Sequence, residues 1–138
     1  MKKILLFGTF ATLMLQSCAG KKGSEAITDL KGTSWTLTEI HDIEIKRTDF
    51  AKIPELNFNS STNEFTGNTG CNSMFGKIDI TDNKINFGNV GSTKMACEGT
   101  GESQFMTALN TVQSFKFINK KLELFDGLGN EALSFSKK

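Results

Sequence analysis

The chain has no tyrosine and only one histidine, one tryptophan and one proline among its 138 residues. A single histidine excludes a metal site built on a His pair. The one His-based catalytic relay that it still allows is a dyad with one other residue. The chain also lacks an excess of one charge, because sixteen basic residues stand against fifteen acidic ones and the net charge is +1. Binding to nucleic acid needs clustered Lys and Arg facing phosphates. The composition therefore argues against nucleic acid as a partner and against an ordinary enzyme.

The remaining composition is that of a globular protein. Hydrophobic residues make up 38% and charged residues 22% of the chain, a balance typical of folded domains. About 120 residues remain after a predicted signal segment, which suits one domain, because two would each approach the size at which a single core becomes marginal.

The N-terminus has the pattern of a secretory signal. Lys2 and Lys3 precede an apolar stretch, 4–15, that is broken only by Gly and Thr residues. This stretch is too short to cross a membrane as a helix. We therefore interpret residues 1–17 as a cleaved signal peptide.

The end of this signal resembles the lipobox of bacterial lipoproteins. It reads Leu-Gln-Ser-Cys at 15–18, and Gln16 is a less usual residue at its position. The resemblance implies that Cys18 carries a diacylglycerol and holds the protein at a membrane without spanning it. The alternative is an ordinary signal peptide followed by a chance cysteine. Ala19 after the cysteine resembles the enterobacterial sorting pattern that favours the outer membrane.

The predicted organisation has three parts. Residues 1–17 are the lipoprotein signal peptide, 18–29 are the lipidated cysteine and a flexible tether, and 30–138 are the folded domain. The tether is small, polar and without periodicity, as flexible linkers are. The predicted location is the bacterial cell envelope, with the N-terminal lipid anchor in the outer membrane.

Short alternating apolar segments separated by turn residues dominate the folded domain, as is typical of antiparallel strands. Their apolar residues are Trp35, Leu37, Ile43, Ile45, Leu56, Phe58, Phe65, Phe75, Ile78, Ile80, Ile85, Phe87, Phe115, Phe117, Leu122, Leu124, Leu133 and Phe135. One segment, from Glu102 to Val112, has helical spacing instead, and Thr100 is placed to be its N-cap. The predicted fold class is α+β, mainly β. We expect a strongly curved antiparallel sheet or partial barrel of about eight strands, closed by one α-helix.

Two cysteines, Cys71 and Cys97, remain once Cys18 is assigned to lipid. An even pair in an oxidising compartment is most simply a disulfide. Two buried free cysteines are one alternative, and a reactive thiol pair or a soft-metal site with Met74 and Met95 is another. The glycine-rich segment 67–72 lacks the Lys-Ser/Thr of a phosphate-binding loop, so we interpret it as a tight turn.

Several segments together resemble the META/HslJ family of small bacterial lipoproteins. They are Leu-Lys-Gly-Thr-Ser-Trp-Thr-Leu at 30–37, Pro-Glu-Leu-Asn-Phe at 54–58, Phe-Thr-Gly-Asn-Thr-Gly-Cys-Asn-Ser-Met-Phe-Gly at 65–76 and Ser-Thr-Lys-Met-Ala-Cys at 92–97. The resemblance covers 30–135 and implies a compact, mainly β fold with one helix. The family has no assigned catalytic residue. Its signature positions are therefore carried over as structural or recognition residues only: Gly70, Cys71, Asn72, Thr93, Met95 and Cys97.

The leading functional hypothesis is a non-enzymatic envelope lipoprotein, without a cofactor, that binds an envelope protein or supports the envelope under stress. The family resemblance links such proteins to heat shock and antibiotic tolerance. The exposed side of the turn from Gly70 to Asn72 is the predicted contact surface. The alternative is a carrier of an apolar ligand or lipid, because the phenylalanines could line a hollow barrel as well as fill it.

Overall fold

The computed structural model describes residues 27–138. This part of the chain contains ten β-strands, an α-helix of eleven residues, a helical turn at 27–30 and a short 3-10 helix at Arg47–Asp49. In chain order these are β1 (Ser34–Ile40), β2 (Ile43–Glu44), β3 (Glu55–Phe58), β4 (Glu64–Asn68), β5 (Ser73–Thr81), β6 (Lys84–Phe87), β7 (Gly91–Ser92), α1 (Gly101–Thr111), β8 (Val112–Ile118), β9 (Lys121–Asp126) and β10 (Glu131–Lys137). The predicted signal peptide, Cys18 and the tether up to residue 26 lie outside the described residues.

Eight strands form a closed antiparallel barrel in the order β1-β3-β4-β5-β6-β8-β9-β10. The barrel closes because β1 pairs with β10, from Trp35 opposite Lys137 to Ile40 opposite Leu133. The two short strands lie off this path, with β2 on β1 and β7 on β5. The prediction of a curved, mainly β sheet of about eight strands with one helix is confirmed. The pairing of β1 with β10 closes this sheet into a barrel.

Period-two alternation explains which side of each strand faces inward. In β1, Trp35 and Leu37 are buried while their neighbours are partly exposed, and in β9 Leu122 and Leu124 are buried in the same way. Successive strand residues point to opposite faces of the sheet, so such segments form one apolar and one polar wall. The apolar walls of all eight strands enclose a single core.

Helix α1 packs its apolar stripe against the barrel. Phe105, Ala108 and Leu109 are buried, and the ring centroids of Phe105 and Phe135 are 6.5 Å apart. Thr100 lies at the N-cap position, as predicted, but its side chain makes no capping hydrogen bond. The helix ends where Val112 adopts an extended conformation and begins β8.

Aromatic side chains fill the barrel interior. Rings from strands that are not paired with each other contact one another, with Phe65 and Phe87 centroids 5.1 Å apart and Trp35 and Phe117 centroids 5.5 Å apart. The fully or nearly fully buried phenylalanines are Phe50, Phe58, Phe65, Phe105, Phe115 and Phe135. The phenylalanines thus act chiefly as core residues.

The two ends of the barrel differ in what they present. At one, which we call the tether end, the chain enters through a helical turn at 27–30, β8 joins β9 at 119–120, and β10 finishes at Lys137. Leu30 is fully buried there, and its carbonyl accepts a hydrogen bond from the Trp35 indole. Residues 27–29, which the sequence pattern places in the tether, are therefore part of the domain. The opposite end, which we call the groove end, comprises 41–54, 69–72, 93–101 and 127–130.

Candidate functional site

The structure brings the two signature segments, 65–76 and 92–97, into direct contact at the groove end. β7 pairs with β5, placing Ser92 opposite Met74, and the Thr93 amide donates to the Ser73 carbonyl. Cys71 and Cys97 form a disulfide, with their Cα atoms 6.0 Å apart. In this bonded form the two sulfurs are not thiolate ligands for a soft-metal site with Met74 and Met95.

Asn72 is the hub of this contact. Its side-chain oxygen accepts hydrogen bonds from the Thr93 hydroxyl at 2.8 Å and the Met95 amide at 2.7 Å. Its side-chain nitrogen donates to the Met95 carbonyl at 3.1 Å and to Glu102 Oε1 at 2.9 Å. The residue is only 4% exposed. One amide therefore joins the turn, the segment after β7 and the first turn of helix α1.

Glu102 and Thr69 complete the cluster. The Thr69 hydroxyl donates to Glu102 Oε1 and accepts a hydrogen bond from the Asn72 amide. Hydrogen bonds from the Thr69 hydroxyl and the Asn72 side chain hold the pKa of the Glu102 carboxyl below its usual range, because they stabilise its ionised form. The N-terminal position on a helix also favours a negative charge. The sequence pattern places Glu102 at the start of the helix, but no local signal connects it with Thr69.

The predicted contact surface on the turn from Gly70 to Asn72 is wrong, because this turn is buried. Gly70 adopts a φ of +98°, and a Cβ atom there would lie 2.3 Å from the ring of Phe50. The Gly70 carbonyl also accepts a hydrogen bond from the Lys52 amide. Phe50 and its neighbours thus cover the turn. Among the signature residues, Thr93, Met95 and Cys97 are exposed, and the apolar Met95 leaves 61% of its surface open to solvent.

This cluster, Thr69, Asn72, Thr93, Glu102 and the disulfide, is chemically suited to holding segments together. Its carboxylate accepts hydrogen bonds from Thr69 and Asn72, and its two sulfurs are bonded to each other. His41, the one histidine, lies in the exposed turn between β1 and β2 at a φ of 52°. Within residues 27–138, no group of three His, Cys, Asp or Glu side chains could hold a metal ion.

A groove of about 490 Å³ lies beside this cluster. Its apolar side is formed by Ile40, Ile43, Ile45 and Phe50, and helix α1 supplies the polar side through Ser103, Gln104 and Thr107. Ile43 leaves 70% of its surface exposed although it is a large apolar residue. The alternation of Ile43 and Ile45 predicts a short strand. Their spacing does not indicate that helix α1 faces them.

A sequence model described as the META domain matches residues 28–138 of the chain. The chain belongs to the META domain family. The matched region includes both signature segments and every strand of the barrel. The family match therefore covers the domain that contains the disulfide, Asn72 and the groove.

Solved structures share the fold of this META domain. An NMR structure of a protein from Burkholderia xenovorans has a TM-score of 0.65 at 22% identity, and the match covers 100% of this chain and 99% of that one. A second protein NMR structure has a TM-score of 0.62 at 14% identity, covering 80% of this chain and 92% of that one. A DUF4847 family protein from Bacteroides vulgatus, a crystal structure at 1.00 Å, has a TM-score of 0.56 at 17% identity over 83% of this chain and 96% of that one. No curated protein is significantly similar in sequence.

An acidic cluster lies on the outer wall of the META domain, next to the groove. The strand register places Glu39, Ser134 and Glu123 side by side on β1, β10 and β9. Ser134 is 1% exposed, and neither its hydroxyl nor Glu131 Oε1 has a hydrogen-bond partner within the described chain. Burial, followed by the charges of Asp42, Glu123 and Glu39, raises the pKa of Glu131 to about 7.

The described residues of this META domain contain no helix that is long and apolar enough to span a membrane.

Proposed function

We propose that this META domain protein is a non-enzymatic, lipid-anchored protein of the bacterial cell envelope that binds another envelope protein through its groove end. The anchor is proposed from the lipobox-like sequence at 15–18, with Cys18 as the modified residue. Two or more acyl chains make a durable anchor, because each buried CH₂ contributes about 0.8 kcal/mol. A role in heat-shock or antibiotic tolerance is part of this proposal through the family resemblance alone.

The observation that carries the binding role is the placement of exposed apolar side chains. Ile43, Met95 and Leu128 are 70%, 61% and 89% exposed, and all three lie in turns or segments at the groove end. Ile43 lines the groove, whereas Met95 and Leu128 lie outside its lining at the same end of the barrel. Exposed apolar side chains grouped at one end of a domain are typical of sites where another protein binds. The tether enters the domain at the other end, so a partner could reach the groove without competing with the membrane.

A photo-crosslinking amino acid at position 43 or 128 of the lipidated protein tests this proposal in living cells. We expect one adduct of defined mass from each of these positions and none from position 118, which is exposed at the tether end. Introducing Ile43→Asp should remove the adduct formed at position 128, because a carboxylate in the groove disfavours an apolar contact. Equal labelling from positions 43 and 118, or labelling at 128 that Ile43→Asp leaves unchanged, contradicts the proposal.

The anchor is tested separately by intact mass of the mature protein. Lipidation adds the mass of the acyl chains to a polypeptide that begins at Cys18, and Cys18→Ser removes both the added mass and the membrane fraction of the protein. An unmodified Cys18 would refute the anchor and leave the groove proposal intact.

A second candidate function, the binding of an apolar small ligand, is favoured by the size of the groove. Its volume of about 490 Å³ lies within the range of small-molecule sites. The barrel interior is filled by side chains such as Phe65 and Phe115, so the ligand would bind in the groove. Native mass spectrometry of the purified protein separates the two functions, because a co-purifying lipid or fatty acid that Ile43→Asp displaces supports the carrier.

A further inference from the structure

Charge is distributed unequally along the wall formed by β1, β10, β9 and β8. At the tether end of these strands, the charged residues are chiefly lysines: Lys31, Lys120, Lys121, Lys137 and Lys138. At their groove end, the charged residues are chiefly acidic: Asp42, Glu44, Asp126 and Glu131. The tether end of this wall is therefore more positive than its groove end, although the exposed Asp29 lies where the chain enters and Lys46 lines the groove.

Two of these lysines are free to contact an external anion. Lys120 and Lys137 are exposed, and neither forms an ion pair within the described residues. Lys120 lies at the tip of the turn between β8 and β9, in a left-handed conformation with a φ of 67°. By contrast, Lys121 is paired with Glu39 and Lys138 with Glu55.

An apolar side chain accompanies these charges. Ile118, the last residue of β8, is 39% exposed beside the same turn. A combination of lysines and an exposed apolar residue suits the boundary between lipid headgroups and acyl chains. Binding to nucleic acid needs clustered Lys and Arg, which a chain of net charge +1 does not favour.

The tether brings this end close to lipid. The residues between Cys18 and Ile27 reach about 30 Å when fully extended. The first described residue lies at the tether end, where Leu30 is buried under Trp35. A lipid attached at Cys18 would therefore let the lysines of the tether end reach the membrane surface.

We infer that the tether end binds an anionic phospholipid surface through Lys120 and Lys137, and that this contact orients the groove away from the membrane. The inference rests on the proposed lipid anchor for its location, but the lysine surface itself needs no anchor to be measured. The acidic residues at the other end are repelled by the same surface, so attraction and repulsion favour a single orientation.

Flotation of the unlipidated mature chain with vesicles measures the contact without the anchor. We expect binding to vesicles of phosphatidylcholine with phosphatidylglycerol, and little binding to pure phosphatidylcholine at 0.1 M salt. The double variant Lys120→Glu/Lys137→Glu should weaken binding at least about 25-fold, because each lysine near an anionic surface contributes about fivefold. The matched variant Lys52→Glu/Lys94→Glu changes the net charge equally at the groove end and should retain binding. Equal binding to anionic and neutral vesicles, or an equal loss of binding in both double variants, overturns the inference.

Orientation is measured on the lipidated protein in the same vesicles. A fluorophore at position 119 should be quenched by nitroxide-labelled headgroups at least threefold more than one at position 128. High salt or the Lys120→Glu/Lys137→Glu variant should reduce this difference, whereas neutral vesicles should not show it. Equal quenching at the two positions in anionic vesicles refutes the orientation. If the crosslinks from the groove fail but the difference in quenching between positions 119 and 128 remains, only the proposed protein partner is refuted.

Discussion

Asn72 connects three segments that are distant in the sequence. Its side chain bonds to Thr93 and Met95, which lie more than twenty residues later, and to Glu102 in helix α1. Removing one partner of a buried hydrogen bond leaves the other group unsatisfied. Each unsatisfied group lowers the free energy of unfolding by about 1–3 kcal/mol. The stability of the groove end therefore depends strongly on this one residue.

Replacement of Asn72 tests this dependence. Asn72→Ala should lower the free energy of unfolding by about 3 kcal/mol, because it leaves the Met95 amide and Thr93 hydroxyl without their acceptor. Asn72→Asp should cost more, since a second carboxylate would face Glu102. Urea unfolding measures both, and Asn86→Ala on the exposed side of β6 serves as the control, with a change within about 0.5 kcal/mol.

A double substitution distinguishes charge repulsion from lost packing. Adding Glu102→Gln to Asn72→Asp removes the repulsion and should restore part of the lost stability. If the double variant is no more stable than Asn72→Asp alone, the electrostatic explanation is wrong.

Glu131 is the residue that we expect to contribute most to the pH dependence of the stability of the domain. Its folded-state pKa is raised to about 7 from an ordinary value of 4.5, so the folded state retains a proton that the unfolded state releases. The folded state therefore binds more protons between these values, and its stability falls as the pH rises from about 4.5 to about 7. The groups that face Glu131 are Asp42 in the turn after β1, Glu39 on β1, and Glu123 and Lys121 on β9.

Glu131→Gln should remove this penalty. We expect the variant to be more stable than the parent by about 1 kcal/mol at pH 8, after allowance for solvent screening, and nearly equal to it at pH 5. Urea midpoints at the two pH values measure the effect, with Glu98→Gln, an exposed change elsewhere at the groove end, as control. A gain of the same size at both pH values would contradict the assigned cause.

At the scale of elements, the start of helix α1 is fixed by close packing. A Cβ atom on Gly101 would lie 2.4 Å from the Asp49 carbonyl oxygen and 2.6 Å from the Phe50 ring. Glycine in a helix is ordinarily unfavourable relative to alanine. Here it allows the helix to approach the segment that also covers the turn at Gly70.

Alanine substitutions in helix α1 should therefore have opposite effects at two positions. Gly101→Ala should destabilise the domain by about 1–2 kcal/mol, because overpacking outweighs the gain in helix propensity. Asn110→Ala, on the exposed side, should stabilise it by up to about 0.5 kcal/mol. Thermal unfolding of both variants gives the comparison, and a stabilising Gly101→Ala would show that the helix can shift away from Asp49.

The elements themselves could be predicted from the sequence because their signals are local. Alternation in segments such as 34–40 and 121–126 indicates strands directly, and the spacing of Phe105 and Leu109 indicates the helix. The cover over Gly70 could not be predicted, because Phe50 approaches it from a segment with no regular period. The bond from Asn72 to Glu102 joins positions 30 apart, and no local pattern encodes such a contact.

At the scale of the whole molecule, the C-terminal residue contacts the start of β1 at the tether end. The Lys138 amide donates to the Ser34 carbonyl at 2.9 Å, next to the β1–β10 pairing. The sequence predicted a sheet that nearly closes. It could not show the closure itself, because pairing between the two outermost strands depends on the curvature summed over all the others.

A circular permutant tests this arrangement. Joining Lys138 to Ile27 with a short Gly/Ser linker and opening the chain at Leu128, which is 89% exposed, should give a folded domain that loses only about 1–2 kcal/mol. A permutant opened between Lys94 and Met95 should lose much more, because it cuts the segment that Asn72 and the disulfide hold. Near-UV circular dichroism of Trp35 during urea unfolding reports both, and equal stability of the two permutants would contradict the importance of that segment.

The pairing of β1 with β10 also has a consequence for synthesis. β1 is made early and its closing partner last, and a ribosome adding about 5–20 residues per second needs roughly 5–20 s to make the residues between them. During that interval one edge of β1 has no partner, and an open strand edge is a template for pairing with a neighbouring chain. A chain of this architecture therefore keeps that edge open to aggregation until β10 is available, however stable the finished barrel is.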